Sequence, residues 1–394
     1  MTHRSGLPLT LLYAALFFEL GINLPFFPLW LRSQALDDAA IGIVLAVPLV
    51  LRIVANPAVT ALADRTGRLR GTLIACAVAV SIGTALFGLA SGFAAIIAVV
   101  TLVALAQGPL IALTDALTLR ILRDRDTAGR DYGRIRMWGS LAFAAASLGA
   151  GWVLTVLAPW SIIALLSAAA AATAVAALLV PAPPVAGVTD ACPPAPGAGP
   201  AVAPVGLAML AAAVAGPALI QASHAAVYAF STLHWQTQGL SSPVVGALWA
   251  TGIIGEVAVF AIAGRLAVGE RGALALLAAG GLAAIARWLG MALDPSLPVL
   301  VALQLGHGLS FGATHLGSVF LLMRLVDDRQ SAQAQGWLAA VWALAMAILT
   351  NLSGQLSATW GQAIYLPMAA AAAIGLALVA GVALARMRPI AGPV

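Results

Sequence analysis

The sequence predicts an all-α membrane protein with twelve transmembrane helices, arranged as two six-helix bundles related by pseudo-symmetry. Three observations predict it. Sixty-two per cent of the 394 residues are hydrophobic and 8% are charged. A water-soluble domain carries about 25% charged residues, so this chain cannot coat itself with polar surface. Apolar stretches long enough to cross a bilayer, about 20 residues each, recur along the whole length, and a Pro/Ala/Gly-rich stretch divides them into six and six.

The first stretch, residues 7–30, is too long for the core of a signal peptide and lacks a cleavage site, so it is read as retained. Residues 41–63, 71–90, 93–119, 135–157 and 160–180 complete the first six, the last two separated by a very short turn. Residues 181–204, "PAPPVAGVTDACPPAPGAGPAVAP", carry one charge and cannot bury a core. They read as a disordered cytoplasmic linker between an N-terminal bundle, 1–180, and a C-terminal bundle, 205–394. The second six follow at 205–231, 243–263, 273–293, 297–323, 334–356 and 363–385, with another short turn between the ninth and tenth.

Charge sets the orientation. All 19 basic residues are arginine. Sixteen fall at the termini or in alternate connections, the opposite connections contain only Arg32, and two lie inside spans. The positive-inside rule then puts both termini of this multi-pass protein in the cytoplasm. The basic balance is a topology signal, so no nucleic-acid partner is expected; the expected partners are the lipid bilayer and a small-molecule substrate, for a monomer. Without lysine, neither a P-loop nor a Schiff base can be built, which argues against ATP-driven pumping. No H-E-x-x-H helix occurs, so no enzyme, catalytic residue, metal or cofactor is expected; the driving ion would be the proton. Cys76 and Cys192 offer no disulfide framework.

The two halves echo one another weakly. At an offset of about 200, "LADRTGRLRG" after the second span meets "IAGRLAVGERG" after the eighth, and Asp115 meets His315. At an offset of 205, Glu19, Asn23 and Trp30 meet His224, Tyr228 and Trp235. Transporters built from such repeats carry their site at the repeat interface near the bilayer midplane.

Ionisable residues inside spans cost at least ~2.5–3.5 kcal/mol each, so they need a partner or a wet cavity. Glu19 and Arg52 lie near the middle of consecutive antiparallel spans and can neutralise one another if those spans touch. Asn23 and Asn56 follow each by one helical turn on the same face. A structural ion pair is the alternative to a binding role. Asp115 and Arg136 lie near the cytoplasmic ends of spans four and five, where snorkelling lowers the cost. Glu256 is at mid-depth in span eight; Arg287 lies further out in span nine, nearer in depth to His307. In span ten Gln304, His307, Phe311 and His315 form one stripe, flanked by glycines that let neighbours approach. In span seven Gln221, His224 and Tyr228 share a face. Histidine titrates nearest physiological pH, as a proton-coupled carrier needs, although these histidines could equally pack structurally or bind cargo. Glu19, His224, Glu256, His307 and His315 are therefore the proton-coupling candidates, and the arginines, amides and aromatics around them are the cargo-binding ones.

"LADRTGRLR" resembles the loop between spans two and three of the major facilitator superfamily, G-x-x-x-D-R-x-G-R-R. Asp64, Arg65, Gly67 and Arg68 match it, and Thr60 replaces the leading glycine. The resemblance implies the major facilitator fold and a gating loop whose charges relay to neighbouring helix ends. "DYGRIRMWGSLAF" resembles the start of span five in lactose permease-like proton symporters, which implies that Arg136 contacts substrate and that Asp115 partners it. "GINLPFFPLWL" and "HGLSFGATH" are similar to the 3-phenylpropionate transporter branch. Glu256, Arg287 and His307 fall where lactose permease keeps coupling residues, but Ser310 stands where that permease has a glutamate. The expected function is proton-coupled uptake of an aromatic carboxylate by alternating access, with Arg52, Arg287 or Arg136 meeting the carboxylate and Trp30, Phe311 and Trp235 as apolar walls. The alternatives are a sugar or nucleoside symporter, or an exporter.

Overall fold

A backbone crossing hydrocarbon must satisfy its own polar groups, and a single apolar segment can do so only as a helix. The computed structural model describes residues 6–122, 128–181, 206–266 and 269–387, and no strand occurs among them. Six helices open the chain: α1 (Gly6–Ser33), α2 (Asp38–Thr66), α3 (Leu69–Leu86), α4 (Gly92–Leu122), α5 (Ala128–Val153) and α6 (Ser161–Leu179). The expected linker lies outside the described residues except for Pro181. Then come α7 (Leu207–Ala222), α8 (Ala225–Thr237), α9 (Ser242–Leu266), α10 (Gly269–Met291) and α11 (Leu297–Leu305). A π-helical segment (Gly308–Ala313) leads into α12 (Thr314–Leu325) and α13 (Asp328–Trp360), and a 3-10 turn (Gly361–Ile364) into α14 (Tyr365–Met387).

Ten helical stretches among the described residues are long and apolar enough to cross a membrane. The difference from the expected twelve has local causes. Helix α5 opens on Asp131, Arg134 and Arg136, which lower its hydropathy, and α13 runs into α14 through a single 3-10 turn, so the two form one continuous stretch. Spans seven and ten, expected as unbroken α-helices, are each interrupted: α7 ends two residues before α8 begins, at Ser223 and His224, and span ten passes through the π segment.

The chain forms two compact units. The first takes in the described residues of Met1–Ala191 with Val227–Ala250 and Thr350–Ala358, and the second those of Cys192–Ala226, Thr251–Leu349 and Thr359–Val394. In the first, α1 packs along α5 and α6, α2 along α4, and α3 along α4 and α6. In the second, α7 packs along α14, and α10 along α14 and α12. The relations of spans one to six, three to six and three to four thus recur as seven to twelve, nine to twelve and nine to ten. Polar ties repeat too. Arg70, at the start of α3, donates to the Val180 and Leu178 carbonyls beyond and at the end of α6, at 2.6 and 2.8 Å, capping orphan carbonyls of a helix C-terminus. Arg386 near the end of α14 grips Glu270 in the first turn of α10 with two parallel bonds of 2.7 and 2.8 Å.

Helix α2 ends at Gly67, whose φ of +65° is the left-handed conformation. Its N–H bonds Asp64 O, and Arg68 N–H bonds Ala63 O, both at 3.2 Å, so the last carbonyls are satisfied by a Schellman-type cap. Gly67→Ala is expected to cost about 1 kcal/mol through backbone strain alone, since a Cβ there meets nothing within 4 Å. A thermal melt in detergent checks this, and an unchanged melting temperature would contradict it.

Candidate functional site

In the first unit the polar centre is built around one turn of α4. Glu19, near the middle of α1, is buried at 4% exposure. Asn23 Nδ2, one turn along, donates to Glu19 Oε1 at 3.1 Å. Gln107 Nε2, near the middle of α4, reaches both carboxylate oxygens at 3.1 Å. The next residue, Gly108, is where α2 comes close: a Cβ there would lie 2.6 Å from Asn56 Oδ1 and 3.5 Å from Arg52 Cγ. The absent side chain lets the Arg52–Asn56 face of α2 lie directly on α4. The pairing of Glu19 with Arg52 that consecutive spans allowed is not formed. Helix α1 lies mainly on α5 and α6 while α2 lies on α4, so the two scarcely touch. Arg52 Nε and Asn56 Oδ1 are shut off from solvent without a hydrogen-bond partner.

Asp115 and Arg136 do not pair either, contrary to what the resemblance implied. Asp115 accepts a short hydrogen bond from the Tyr13 hydroxyl and one of 3.1 Å from Tyr132. The Arg136 guanidinium lies 4.0 Å over the Phe17 ring and 5.9 Å from that of Tyr13. The close packing of α5 on α1 turns Arg136 toward aromatic faces, which a cation favours. The loop charges Asp64, Arg65 and Arg68 are exposed, and they form no ion pair among the described residues, so the implied relay is not made there. Trp30 is a core residue stacked on Phe27 at 5.5 Å, and Trp235 is fully buried.

In the second unit Arg287 is the hub. It is buried at 3% exposure, and its Nε donates to Leu303 O at 2.6 Å. Its Nη2 donates to Gln304 Oε1 at 2.9 Å. Its Nη1 donates to Ser310 Oγ at 2.6 Å and lies 3.3 Å from His224 Nε2 and 3.4 Å from His307 Nδ1. A guanidinium only donates, so both facing ring nitrogens are acceptors. His224 Nδ1 bonds Gln221 O at 3.0 Å and therefore carries the proton. His307 carries its proton on Nε2, which faces Glu256 Oε2 at 3.8 Å. Two neutral imidazoles of opposite tautomer thus surround one cation, and His307 links Arg287 to Glu256.

The stripe on span ten is realised. Phe311 stacks on His307 at 5.3 Å and on His315 at 6.3 Å, although His315 itself is exposed. Within the π segment, Gly308 packs so closely on the Gly255 and Glu256 backbone of α9 that a Cβ would lie 2.9 Å from Glu256 N. π segments frequently mark functional sites. Tyr228 is the exception among the span-seven residues. The break at Ser223 and His224 separates it from Gln221 and His224, and it stacks on Trp249 at 6.0 Å in the first unit.

Gln107, Ser310, Tyr13 and Tyr132 went unrecognised as site partners in the sequence. A signal for the first existed. Two hundred residues on from Gln107-Gly108 stand His307-Gly308, and two hundred on from Asn56 stands Glu256. Gly108 packs on the Asn56 side chain, and Gly308 on the Gly255 carbonyl and the Glu256 backbone nitrogen.

The family model described as "MFS_1 like family" matches residues 7–367. The chain is 30% identical over 369 residues to an Escherichia coli (strain K12) protein described as "Probable 3-phenylpropionic acid transporter", covering 92% of this chain and 93% of that one. A segment of 144 residues is 33% identical to "Maltose permease" of Geobacillus stearothermophilus, 36% of either chain. Among solved structures, the nucleoside transporter NupG superposes with a TM-score of 0.76 at 17% identity, covering 99% of this chain and 100% of that one. A bacterial homologue of the human lysosomal transporter Spinster, in an inward-facing conformation, gives 0.69 at 17% identity, covering 96% and 93%. At that identity the two structures speak for the fold alone.

Proposed function

The chain belongs to the MFS_1-like family and is a multi-pass membrane transporter of the major facilitator type; from that premise we propose that it takes up an aromatic carboxylate, such as a phenylpropanoid, by proton-coupled alternating access. The reading includes twelve spans, bundles at 1–180 and 205–394 joined by the linker 181–204, both termini on the cytoplasmic face of a bacterial-type inner membrane, and a working monomer.

The observation that carries it is the environment of Glu19. This mid-membrane carboxyl is buried and held by two amides, with no cation paired to it among the described residues. A buried charge without a counter-ion is costly, and a proton removes it. The amides can serve either state, because each also carries an acceptor oxygen for an acid O–H. In the second unit, Glu256 and the neutral His307 form the other acid–base pair beside Arg287. The E. coli relative's description supports a phenylpropanoid cargo, and Phe311, beside His224 and His307, offers an apolar ring of the right kind.

Purified protein in proteoliposomes should accumulate labelled 3-phenylpropionate when a pH gradient is imposed, acid outside. Uptake indifferent to the gradient would eliminate symport. Glu19→Gln keeps the amide contacts and removes the titrating group. It is expected to lower gradient-driven accumulation by at least about tenfold while counterflow at equal pH stays within about twofold. A sugar cargo is the second reading, favoured by the segment shared with the maltose permease and by the amides Asn23, Asn56 and Gln107. Counterflow against labelled phenylpropanoids, sugars and nucleosides separates the readings, and the preferred direction of flux separates uptake from export.

A further inference from the structure

Resting on the carboxylate reading just given, the geometry points to Arg52, with Asn56 beside it on Gly108, as the subsite that receives the cargo's carboxylate. Three arginines were open for this role, and their surroundings separate them. Arg287 donates from all three guanidinium nitrogens to protein acceptors, and its flat face lies 4.6 Å from the Trp288 ring centre. Using it for cargo would mean breaking the network that orders His224, Gln304 and Ser310. Arg136 lies in the first turns of α5, with its guanidinium cushioned on the Phe17 and Tyr13 rings. Arg52 lies halfway along α2, and no carboxylate, carbonyl or ring of a described residue meets its guanidinium.

The repeat strengthens the assignment. In the second unit, Glu256 brings the protein's own carboxylate to His307 beside Gly308. At the matching places in the first unit stand Asn56 for Glu256, Gln107 for His307 and Arg52 for Gly252. One half of the repeat holds an acid and an imidazole; the other presents a guanidinium and amides. Glu19 does not complete that half, because both its oxygens are engaged by Gln107 and no ion pair joins it to Arg52. The guanidinium fork matches a carboxylate bidentately, and the Asn56 amide one turn on can add a third contact. Gly108 leaves room for this arrangement, since a Cβ there would lie 2.6 Å from Asn56 Oδ1 and push that amide aside.

The test compares an acid with its neutral isostere. Binding of 3-phenylpropionate and 3-phenylpropanamide to the full chain in detergent would be measured by calorimetry at one pH. The native protein should prefer the acid by about thirtyfold or more. In Arg52→Gln the preference should collapse to within about threefold, chiefly through loss of acid affinity. Arg52→Lys keeps the charge but loses the fork and should fall about fivefold; it decides the matter by itself if the glutamine variant does not fold. A native preference that survives intact in either variant overturns the assignment to Arg52 and leaves the carboxylate reading standing. Equal binding of acid and amide by the native protein, or no binding of either, overturns both.

Discussion

Arg287→Gln is expected to reduce uptake by at least about a hundredfold, because removing a shared member of a buried hydrogen-bonded network costs more than its pairwise contacts. The guanidinium satisfies Leu303 O, Gln304 Oε1 and Ser310 Oγ and faces acceptor nitrogens of two histidines. Serine and the histidines can re-pair among themselves, because Ser310 Oγ is already 3.0 Å from His224 Nε2. The two carbonyl oxygens cannot, and each stranded acceptor costs about 1–3 kcal/mol. Against this stands the relief of no longer burying a cation, which is modest here because the cation already donates from all three of its nitrogens. The net loss of stability should be about 2 kcal/mol, read as a lower melting temperature. The tautomers are the more consequential loss. With no donor fixing His307 Nδ1 as acceptor, its proton is free to leave the nitrogen facing Glu256. Native-like uptake by Arg287→Gln would show that the cluster is packing only.

The second large effect is expected at Gly42. In the first unit, α2 and the Thr350–Ala358 part of α13 touch backbone to backbone. A Cβ on residue 42 would lie 2.9 Å from Gly354 Cα and 3.2 Å from Thr350 O, and one on residue 354 would lie 2.6 Å from Asp38 O. A second such contact joins α5 to the start of α9, where a Cβ on Gly151 would lie 2.5 Å from Ser242 O. Gly42→Trp inserts an indole where not even a methyl fits, so the two helices must separate. Packed interfaces with two arrangements respond by switching, not by stretching. Uptake should fall at least about twentyfold. Binding of 3-phenylpropionate should persist, because Arg52 lies about 15 Å further along α2 at 1.5 Å per residue. Normal uptake would mean that this contact does not take part in the cycle; loss of both binding and melting transition would mean that it is needed to fold.

Position along a helix was legible in the sequence, and direction was not. Counting along apolar runs puts Glu19, Arg52 and Glu256 near the middle of their spans, and all three lie near the middle of α1, α2 and α9; the four-residue steps from His307 to His315 give a stripe whose rings stack. Which way a span faces is hidden when it is apolar all round, since bundle neighbours and lipid demand the same side chains. That is why the Glu19–Arg52 pairing stays conditional in the sequence: it requires the first two spans to touch along their length, and α2 turns to α4 instead. Tyr228 failed for a different reason, because the face it was assigned presumes an unbroken helix through Ser223 and His224. Gln107 was hidden by its surroundings, one amide in a long greasy run, and only the repeat exposes it. The family loop was legible residue by residue, and Gly67 shows the physical reason for one of its letters.

The π segment Gly308–Ala313 has a mechanical consequence. Its wider turns hold one residue more than an α-helix would need to cover the same angle, so the segment is a length of slack stored beside Arg287 and Glu256. Drawing that slack out would screw everything beyond it, His315 included, by about 100° against the part before it. A helix so equipped can re-aim its side chains without a hinge and without breaking its run through the bilayer.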